Sequence, residues 1–280
     1  MNIFLFDTCT WLNLADWRES EVLAGLGELM ANKSLKLILP DIVLTEFTRN
    51  ESDTLSSRER AARAHIKQVR ALSGLLEVPA EQLELRKYLD LLEKQAGKRT
   101  EIAKQNSKSV RALIDQSTKS ITTPEIRNAA FDCCLNKLAP CHRGKNSLAD
   151  AVILEHFKSI DISTIGTKRF FVTDNSEDFG GTDKRNPHEN LKPIFDQKMS
   201  FYRTNVAEVM NEVQPGIVSN AGVENVARLQ ESMRQLRIST CNHDFDENQG
   251  SWERSRYGGI TWHWRCRNCQ MTVDTGEHYD

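Results

Sequence analysis

No apolar run in this chain of 280 residues approaches the ~20 residues that a membrane-spanning helix needs. The N-terminus, MNIFLFDTCTW, lacks a basic segment, and Asp7 breaks its short apolar run, which excludes a secretory signal peptide. Seven cysteines, an odd number at irregular spacing, do not form the pattern of a disulfide framework. These absences predict a cytoplasmic protein with reduced thiols and no membrane partner.

An excess of charge is also missing, since the formal net charge is −2 at pH 7. Overall basicity therefore does not indicate a nucleic acid partner. The distribution is uneven: thirteen Lys or Arg face seven Asp or Glu between Glu84 and Lys145, against four and seven from Cys241 onward. The positive middle is typical of either a solvated helical surface or a nucleic acid contact, and the sequence leaves both open.

Short apolar runs at 2–6, 35–39 and 169–173 predict buried strands, each followed by a breaker or a turn-rich segment. Helical patterns occupy 9–30, the segment after Pro40, most of 54–139 and the segment after Ser147. Strands that alternate with helices predict an α/β fold with a parallel central sheet and helical cover.

Four acids lie at the ends of strands or near the starts of helices in this pattern. Asp7 and Asp174 directly follow predicted strands, and Glu46 and Asp150 lie near the starts of predicted helices. In open parallel sheets, ligands bind at the carboxyl ends of the strands. Carboxylates that converge there repel one another, and Mg²⁺ or Mn²⁺ with oxygen ligands would relieve the repulsion.

Asp150 has a second interpretation. In NSLADAVILEHF it shares a helical face with Ile153, Leu154 and Phe157, and it lies three residues after Ser147. That spacing is typical of a capping box with Ser147 as N-cap. The stretch alone does not distinguish a structural cap from a functional acid.

The fragments FLFDT, ILPDIVLTEF, LADAVI and FFVTDNSEDF, taken in order, resemble the PIN domain. The resemblance covers roughly 1–52 and 141–200. It implies a PIN-like three-layer fold with a parallel central sheet, and a helical insertion at 53–140. It implies a nuclease domain at 1–205. Helical patterns predict a linker at 206–238, which would join it to a small C-terminal domain at 239–280.

By the same resemblance, the chemistry is metal-dependent endonucleolytic hydrolysis of phosphodiester bonds, most often in single-stranded RNA. Asp7, Glu46, Asp150 and Asp174 would be the catalytic metal ligands for Mg²⁺ or Mn²⁺, which would activate water. Thr8, Thr173, Asn175 and Asp178 would support them through hydrogen bonds. His142, Arg143 and Lys145 are either phosphate ligands or an exposed loop.

The fourth acid is ambiguous, because the usual family position falls on Asn175, with Asp174 just before it and Asp178 just after. Asn175 also keeps a rival interpretation open, a non-catalytic PIN scaffold that binds RNA or a protein partner. Cys9 stands where many relatives have Asn or Ser.

The C-terminal segment contains Cys241 and His243 in CNHDF, and Cys266 and Cys269 in CRNC. Three thiolates and one imidazole suit a closed tetrahedral Zn²⁺ site, and the segment resembles a zinc ribbon. A structural zinc would supply folding energy that so small a segment cannot draw from a core. Redox use of the Cys-x-x-Cys pair is the minor alternative.

The remaining expectations concern partners and function class. A protein partner or inhibitor and a dimer are both compatible with the sequence. A further rival is a zinc-ribbon interaction protein in which the acids only cap helices. The remaining cysteines, Cys9, Cys133, Cys134 and Cys141, are interpreted as ordinary thiols.

Overall fold

The computed structural model describes residues 2–143, 147–163, 166–239, 241–254, 259–269 and 271–278. The chain divides into two compact units, Met1–Val226 and Ala227–Asp280. The first unit contains a five-stranded sheet and the second a three-stranded sheet. None of the described helices is long and apolar enough to cross a membrane.

The main sheet has the strand order β3-β2-β1-β4-β5, and every neighbouring pair is parallel. The prediction of an α/β fold with a parallel central sheet is confirmed. The sheet reverses its direction of growth between β1 and β4, which is where ligands bind in folds of this kind. Its strands are β1 (Asn2–Phe6), β2 (Leu35–Pro40), β3 (Thr118–Ser120), β4 (Lys168–Val172) and β5 (Ser200–Arg203).

Ten α-helices accompany the strands in the described residues. They are α1 (Thr8–Leu14), α2 (Ser20–Ala31), α3 (Asp41–Leu72), α4 (Pro79–Gln116), α5 (Pro124–Leu135), α6 (Leu148–Lys158), α7 (Ser176–Phe179), α8 (Lys192–Phe195), α9 (Val206–Val213) and α10 (Asn220–Ser239). The helix predicted at 9–30 is divided. Asp16 caps a short 3₁₀ turn, Trp17–Glu19, by accepting a hydrogen bond from the Arg18 backbone N–H, and α2 begins anew after it.

The core of the first unit lies on both faces of β1 and β4. Phe4, Phe6 and Phe171 are fully buried, and edge or tilted ring contacts connect them to neighbouring aromatic side chains. The apolar stripe of α6, formed by Ile153, Leu154 and Phe157, is buried in the same core. The helical face that the sequence assigned to these three residues is therefore confirmed.

The domain boundaries placed at 205/206 and 238/239 stay predictions. Within the first unit, α9 contributes Val206, Val209 and Met210 to the main core. The compact unit extends to Val226, so its packed region includes part of the segment that the sequence suggested as a linker.

Two long helices, α3 and α4, pack against each other and against the short helices that follow β1. Glu51 of α3 accepts hydrogen bonds from Ser107 and Arg111 of α4. Asn106 of α4 donates to the carbonyl of Asp16 over 2.6 Å. These polar contacts fix the register of α3 against α4 and hold α4 against Asp16.

The C-terminus of α6 is held by Arg169 of β4. Its Nη1 donates to the carbonyls of Phe157, Lys158 and Ile160 at 2.9–3.0 Å, and its Nε donates to Ser200 Oγ over 2.7 Å. A buried cation at this end complements the helix dipole and satisfies carbonyls that have no partner within the helix. Arg169 thereby fixes the position of α6 relative to the sheet.

Replacing Arg169 with Met is therefore expected to destabilise the first unit by about 3 kcal/mol, because the partly buried carbonyls of Lys158 and Ile160 and the buried Ser200 hydroxyl would each lose a donor. Thermal unfolding of the full chain measures the change. The matched control is Lys168→Met, one residue away and exposed, which should leave the melting temperature close to that of the wild type. Equal stability of the two variants would contradict the role of Arg169.

The second unit contains β6 (Phe245–Arg254), β7 (Ile260–Cys266) and β8 (Thr272–His278), which pair antiparallel in that order. Trp252 and Trp262 face each other across β6 and β7 with ring centroids 5.2 Å apart in an edge arrangement. The three strands thus form an antiparallel meander.

One expectation about the cysteines is wrong. Cys134 and Cys141 form a disulfide, with Cα atoms 5.0 Å apart. The chain turns back after α5, where the Leu138 N–H donates to the Cys133 carbonyl and the Cys141 N–H to the Leu138 carbonyl. Sequence spacing alone did not reveal this turn, so the two residues were interpreted as separate thiols. Cys9 and Cys133 are thiols outside any disulfide, as expected.

Candidate active site

Asp7 lies at the carboxyl end of β1, at the point where the sheet reverses its growth. Its side chain caps α1 by accepting a hydrogen bond from the Thr10 N–H over 2.8 Å. Thr173, directly after β4, donates its hydroxyl to the other carboxylate oxygen. The residue is buried, so two neighbouring strand ends and one helix start fix its orientation.

Burial and, secondly, the charge of Asp174 raise the pKa of Asp7 to about 6. The hydrogen bonds from Thr173 and Thr10 act in the opposite direction and do not compensate. The protein thus holds a carboxylate whose negative charge its own residues leave partly unbalanced. A hard cation at this position would remove that imbalance.

Glu46 reaches the same edge from α3. The Thr8 hydroxyl donates to Glu46 Oε2 over 2.7 Å, and Thr8 directly follows Asp7. The Glu46 side chain is half-buried and has Arg49 at 3.9 Å on its outer side. The structure therefore connects Asp7 and Glu46 through adjacent residues, and the role of Thr8 in supporting a metal ligand stays a prediction.

Asp174 follows β4 by two residues and is half-buried. The Asn13 side-chain amide of α1 donates to Asp174 Oδ2 over 2.7 Å. Arg58 of α3 in turn donates to Asn13 Oδ1 over 2.5 Å. The charge of Asp174 contributes to the raised pKa of Asp7, so the two carboxyl groups interact.

Asn175 and Asp178 form a pair beneath this loop. The Asn175 amide donates to Asp178 Oδ2 over 2.7 Å, and the Asn175 N–H donates to Thr173 Oγ1 over 2.9 Å. Both residues are buried, and Asn175 Oδ1 has no hydrogen-bond partner. Their contacts fix the turn that carries Asp174.

Asp150 occupies the first turn of α6 and is half-buried. Ser147 is the N-cap residue, as predicted, but its hydroxyl is buried and makes no capping hydrogen bond. The capping-box interpretation of Ser147 is therefore wrong.

The start of α6 is connected to the other site segments. Arg143, just upstream, forms an ion pair with Glu177 of α7 at 2.9 Å, and α7 follows Asp174. Further along α6, His156 lies 3.7 Å from Asp41 at the start of α3. These contacts fix α6 between the segment that carries Asp174 and the helix that carries Glu46.

The three phosphate ligands suggested near Asp150 have different outcomes. Burial, followed by the charges of His188 and Arg143, lowers the pKa of His142 to about 4, so this ring is neutral near pH 7. Its ring packs on that of His188 with centroids 4.6 Å apart. Lys145 lies outside the described residues. A cationic role for His142 is thus disfavoured, and Arg143 is already paired with Glu177.

Three residues near the acids were not singled out from the sequence: Asn13, Arg58 and Glu19. Asn13 lies three residues after the buried Thr10 on α1, so a polar stripe on that helix could have indicated it. Arg58 and Glu19 had no comparable signal. Glu19 is buried, and neither carboxylate oxygen has a hydrogen-bond partner.

Burial, and then the charges of Asp16 and Asp174, raise the pKa of Glu19 to about 8. Because this pKa lies above the ordinary value of 4.5, stability should fall as pH rises from about 4.5 to 8. Glu19→Gln is expected to remove that loss and to stabilise the protein at pH 8 by a few kcal/mol, on the order of the shift. Thermal unfolding at pH 4.5 and pH 8 tests this. Unchanged stability at pH 8 would contradict it.

A second cluster lies in the C-terminal unit. The ligand atoms of Cys241, His243, Cys266 and Cys269 all lie within 4.8 Å of one another. The Cys241 and Cys266 sulfurs are 3.7 Å apart, and two thiolates at ~2.3 Å from one tetrahedral zinc would be about 3.8 Å apart. The four residues predicted from the sequence are therefore together and fit zinc.

The surroundings of the thiols also suit a metal. Burial acts to raise the pKa of Cys266, but hydrogen bonds from the backbone N–H of Cys269 and from His243 lower it to about 6. Arg267 N–H donates to the Asp244 carbonyl over 2.8 Å, which closes the Cys-x-x-Cys turn onto the Cys-x-His segment. Such contacts orient thiolate ligands.

The acids are arranged differently. Within the described part of the chain, only the C-terminal group has ligand atoms that all converge within 4.8 Å. Glu46, Asp7 and Asp174 instead accept hydrogen bonds from Thr8, Thr173 and Asn13. A more open set suits Mg²⁺, which usually keeps several waters and binds only one or two carboxylates directly.

Comparison with protein families identifies the family of this chain. The family model described as PIN domain matches residues 4–179, more than half of the chain. The chain belongs to the PIN-domain family. The matched part of the PIN domain runs from β1 through α7 and includes all four predicted acids. No curated protein and no solved structure matches the chain.

Membership in the family bears on the site. PIN domains are generally nucleases and typically use Mg²⁺ or Mn²⁺. The match also passes through α3, α4 and α5, so the long helices lie within the matched region of this PIN domain. The C-terminal cysteine cluster lies beyond the match.

Proposed function

We propose that this PIN domain is a metal-dependent endonuclease that hydrolyses phosphodiester bonds in single-stranded RNA. The observation that carries the proposal is the hydrogen-bonded set of acids at the switch point of the sheet. Thr173 orients Asp7, Thr8 orients Glu46, and these contacts join elements 38 and 166 residues apart in the sequence. Such contacts keep carboxylates at fixed positions despite their repulsion.

The residues that would hold Mg²⁺ or Mn²⁺ are Asp7, Glu46, Asp150 and Asp174. When bound, such an ion lowers the pKa of water and stabilises negative charge on phosphate oxygens. The raised pKa of Asp7 and its interaction with Asp174 support this assignment, because both reflect uncompensated negative charge. Glu46, which accepts a hydrogen bond from Thr8, would hold a second ion or orient water.

Asp174 is assigned as the fourth acid in preference to Asn175 and Asp178. The amide of Asn175 donates to Asp178, and Asp178 is completely buried beneath the loop. Asp174 is more exposed, and Asn13 orients its carboxylate. Asn175 in the usual family position therefore does not argue for a non-catalytic scaffold, because its neighbour supplies the acid.

The zinc cluster is proposed as a structural site in a ribbon-like domain. Its closed set of three thiols and one imidazole supports a site without an open position for a reactant. The RNA preference, the cytoplasmic location, a protein partner or inhibitor and a dimer stay predictions that rest on the sequence.

Labelled single-stranded RNA and DNA of one sequence, incubated with the full chain and Mn²⁺, Mg²⁺ or EDTA, test the nuclease proposal. We expect cleavage of RNA that requires metal and disappears in Asp150→Asn. The control Asp161→Asn removes an exposed acid that only accepts hydrogen bonds from Ser163, and it should cleave normally.

Each alternative has its own outcome. Binding of RNA without cleavage under every metal would favour the non-catalytic scaffold. Cleavage of DNA in preference to RNA would correct the substrate class and leave the site assignment intact. Cleavage that survives in Asp150→Asn would remove Asp150 from the site.

A further inference from the structure

We infer that Arg58, in the region 53–140 that the sequence predicted as a helical insertion, positions Asp174 by acting through Asn13. The inference rests on the proposed function, since it takes Asp174 as a metal ligand. Arg58 Nη2 donates to Asn13 Oδ1 over 2.5 Å, and Asn13 Nδ2 donates to Asp174 Oδ2 over 2.7 Å. The three side chains form one continuous relay.

The direction of the relay follows from donor chemistry. A guanidinium has only donors, so Asn13 must turn its oxygen toward Arg58. Its NH₂ group then faces Asp174, where it donates to the carboxylate. Without Arg58, Asn13 Oδ1 would lose its donor, and the Asn13 side chain would be held only by the hydrogen bond that it donates to Asp174.

Arg58 is itself held rigidly. Its side chain is 14% exposed, its Nη1 lies 3.7 Å from Asp16 Oδ2, and it donates to the Leu12 carbonyl over 3.4 Å. Asp16 is fixed in turn by Arg18, which donates from both its backbone and its side chain. A buried, multiply bonded guanidinium has little freedom to reorient.

The placement of Arg58 depends on the two long helices. Seven residues before it, Glu51 binds Ser107 and Arg111 of α4, and Asn106 of α4 binds the Asp16 carbonyl. The contacts on either side of Arg58 therefore come from α4. The region 53–140 thus contributes to the acidic site and is not an independent attachment.

The charge balance gives the same result. Asp7, Asp16 and Glu19 are acids in the neighbourhood of Asp174, and Arg58 is a buried cation that interacts with it. Loss of Arg58 would leave the group more negative and less ordered. Arg58 is therefore a positioning residue, since its side chain donates to Asn13 and the inference gives it no contact with a reacting atom.

Calorimetric titration of Mn²⁺ into the zinc-loaded full chain tests the inference without relying on turnover. Arg58→Met is expected to weaken Mn²⁺ binding about 10-fold or more, which is the usual effect of losing a partner that orients a ligand. Arg58→Lys, which keeps the charge and one donor, should recover part of the affinity. Asn13→Leu should weaken binding to a similar degree.

The double variant Arg58→Met/Asn13→Leu provides a readout that general destabilisation would not mimic. If the two residues act in one relay, the double variant should bind Mn²⁺ no more weakly than the worse single variant. The control is Arg63→Met on the same helix, whose exposed guanidinium pairs only with Glu59 in the recorded contacts. If Arg58→Met does not fold, Asn13→Leu and Arg58→Lys carry the comparison.

The outcomes separate the two proposals. If the wild type binds Mn²⁺ at a site that Asp7→Asn removes, and Arg58→Met matches Arg63→Met, the inference fails and the proposed function stands. Additive losses in the double variant would also overturn the relay. If the wild type has no Mn²⁺ site that depends on Asp7, the proposed function fails and the inference fails with it.

Discussion

Replacing Asp7 with Asn is expected to reduce RNA cleavage by at least about 100-fold while making the metal-free protein more stable. Residues that merely orient a metal ligand already contribute 10–100-fold, so loss of a ligand should be at least as severe. The stabilisation follows from electrostatics. Asp7 is buried beside the charge of Asp174, and both effects raise its pKa to about 6.

The sign depends on pH. Below the ordinary pKa of 3.8, Asp7 is protonated in both the folded and the unfolded chain and has no effect on stability. Between pH 3.8 and about 6 the unfolded chain loses the proton more readily, so stability falls, and above pH 6 the full cost applies. That cost is about 3 kcal/mol for a shift of this size.

Thermal unfolding without added Mg²⁺ or Mn²⁺ measures the second effect. Asp7→Asn should melt above the wild type at pH 8 and close to it at pH 4. Adding Mn²⁺ should raise the melting temperature of the wild type only, because binding stabilises the state that binds. Full cleavage by Asp7→Asn, or an Mn²⁺ effect on its stability, would remove Asp7 from the metal site.

The sequence predicted the strands that are apolar and central, and it missed the two at the edges. β1, β2 and β4 consist mainly of apolar residues, so their burial could be predicted. β3 consists of Thr118, Lys119 and Ser120, polar residues that form a strand only because β2 offers an unpaired edge. β5 is four residues long, and its pairing with β4 is likewise a tertiary effect.

The candidate site likewise contains residues that the sequence predicted and residues that it missed. Asp7 and Asp174 were predicted from their position after strands, which is a local property of the chain. Arg58 could not be predicted, because its contact with Asn13 spans 45 residues and leaves no periodic trace. The sequence also could not predict that the Ser147 hydroxyl makes no capping hydrogen bond. Spacing indicates where a cap can form, but it does not indicate whether the hydroxyl turns toward the helix.

Removing zinc is expected to unfold the C-terminal sheet while the PIN domain stays folded. In the described residues from Cys241 onward, the buried apolar side chains are Cys266 and Cys269, two of the predicted ligands, and Thr261 is the buried polar one. The strands therefore have almost no core of their own. Zinc binding would supply the stabilisation, about 10–16 kcal/mol in comparable small domains.

A high-affinity zinc chelator applied to the full chain tests this directly. We expect release of one zinc per chain, loss of the β6–β8 signal in circular dichroism, and rapid proteolysis beginning near residue 240. Cys269→Ser should cause the same proteolysis without chelator, whereas Cys9→Ser, which removes a thiol outside the cluster, should not. Because the first unit has its own core and sheet, its fragment should resist the protease and keep metal-dependent RNA cleavage. A tail that resists protease after chelation, or a purified chain without zinc, would show that the four ligands pack without a metal.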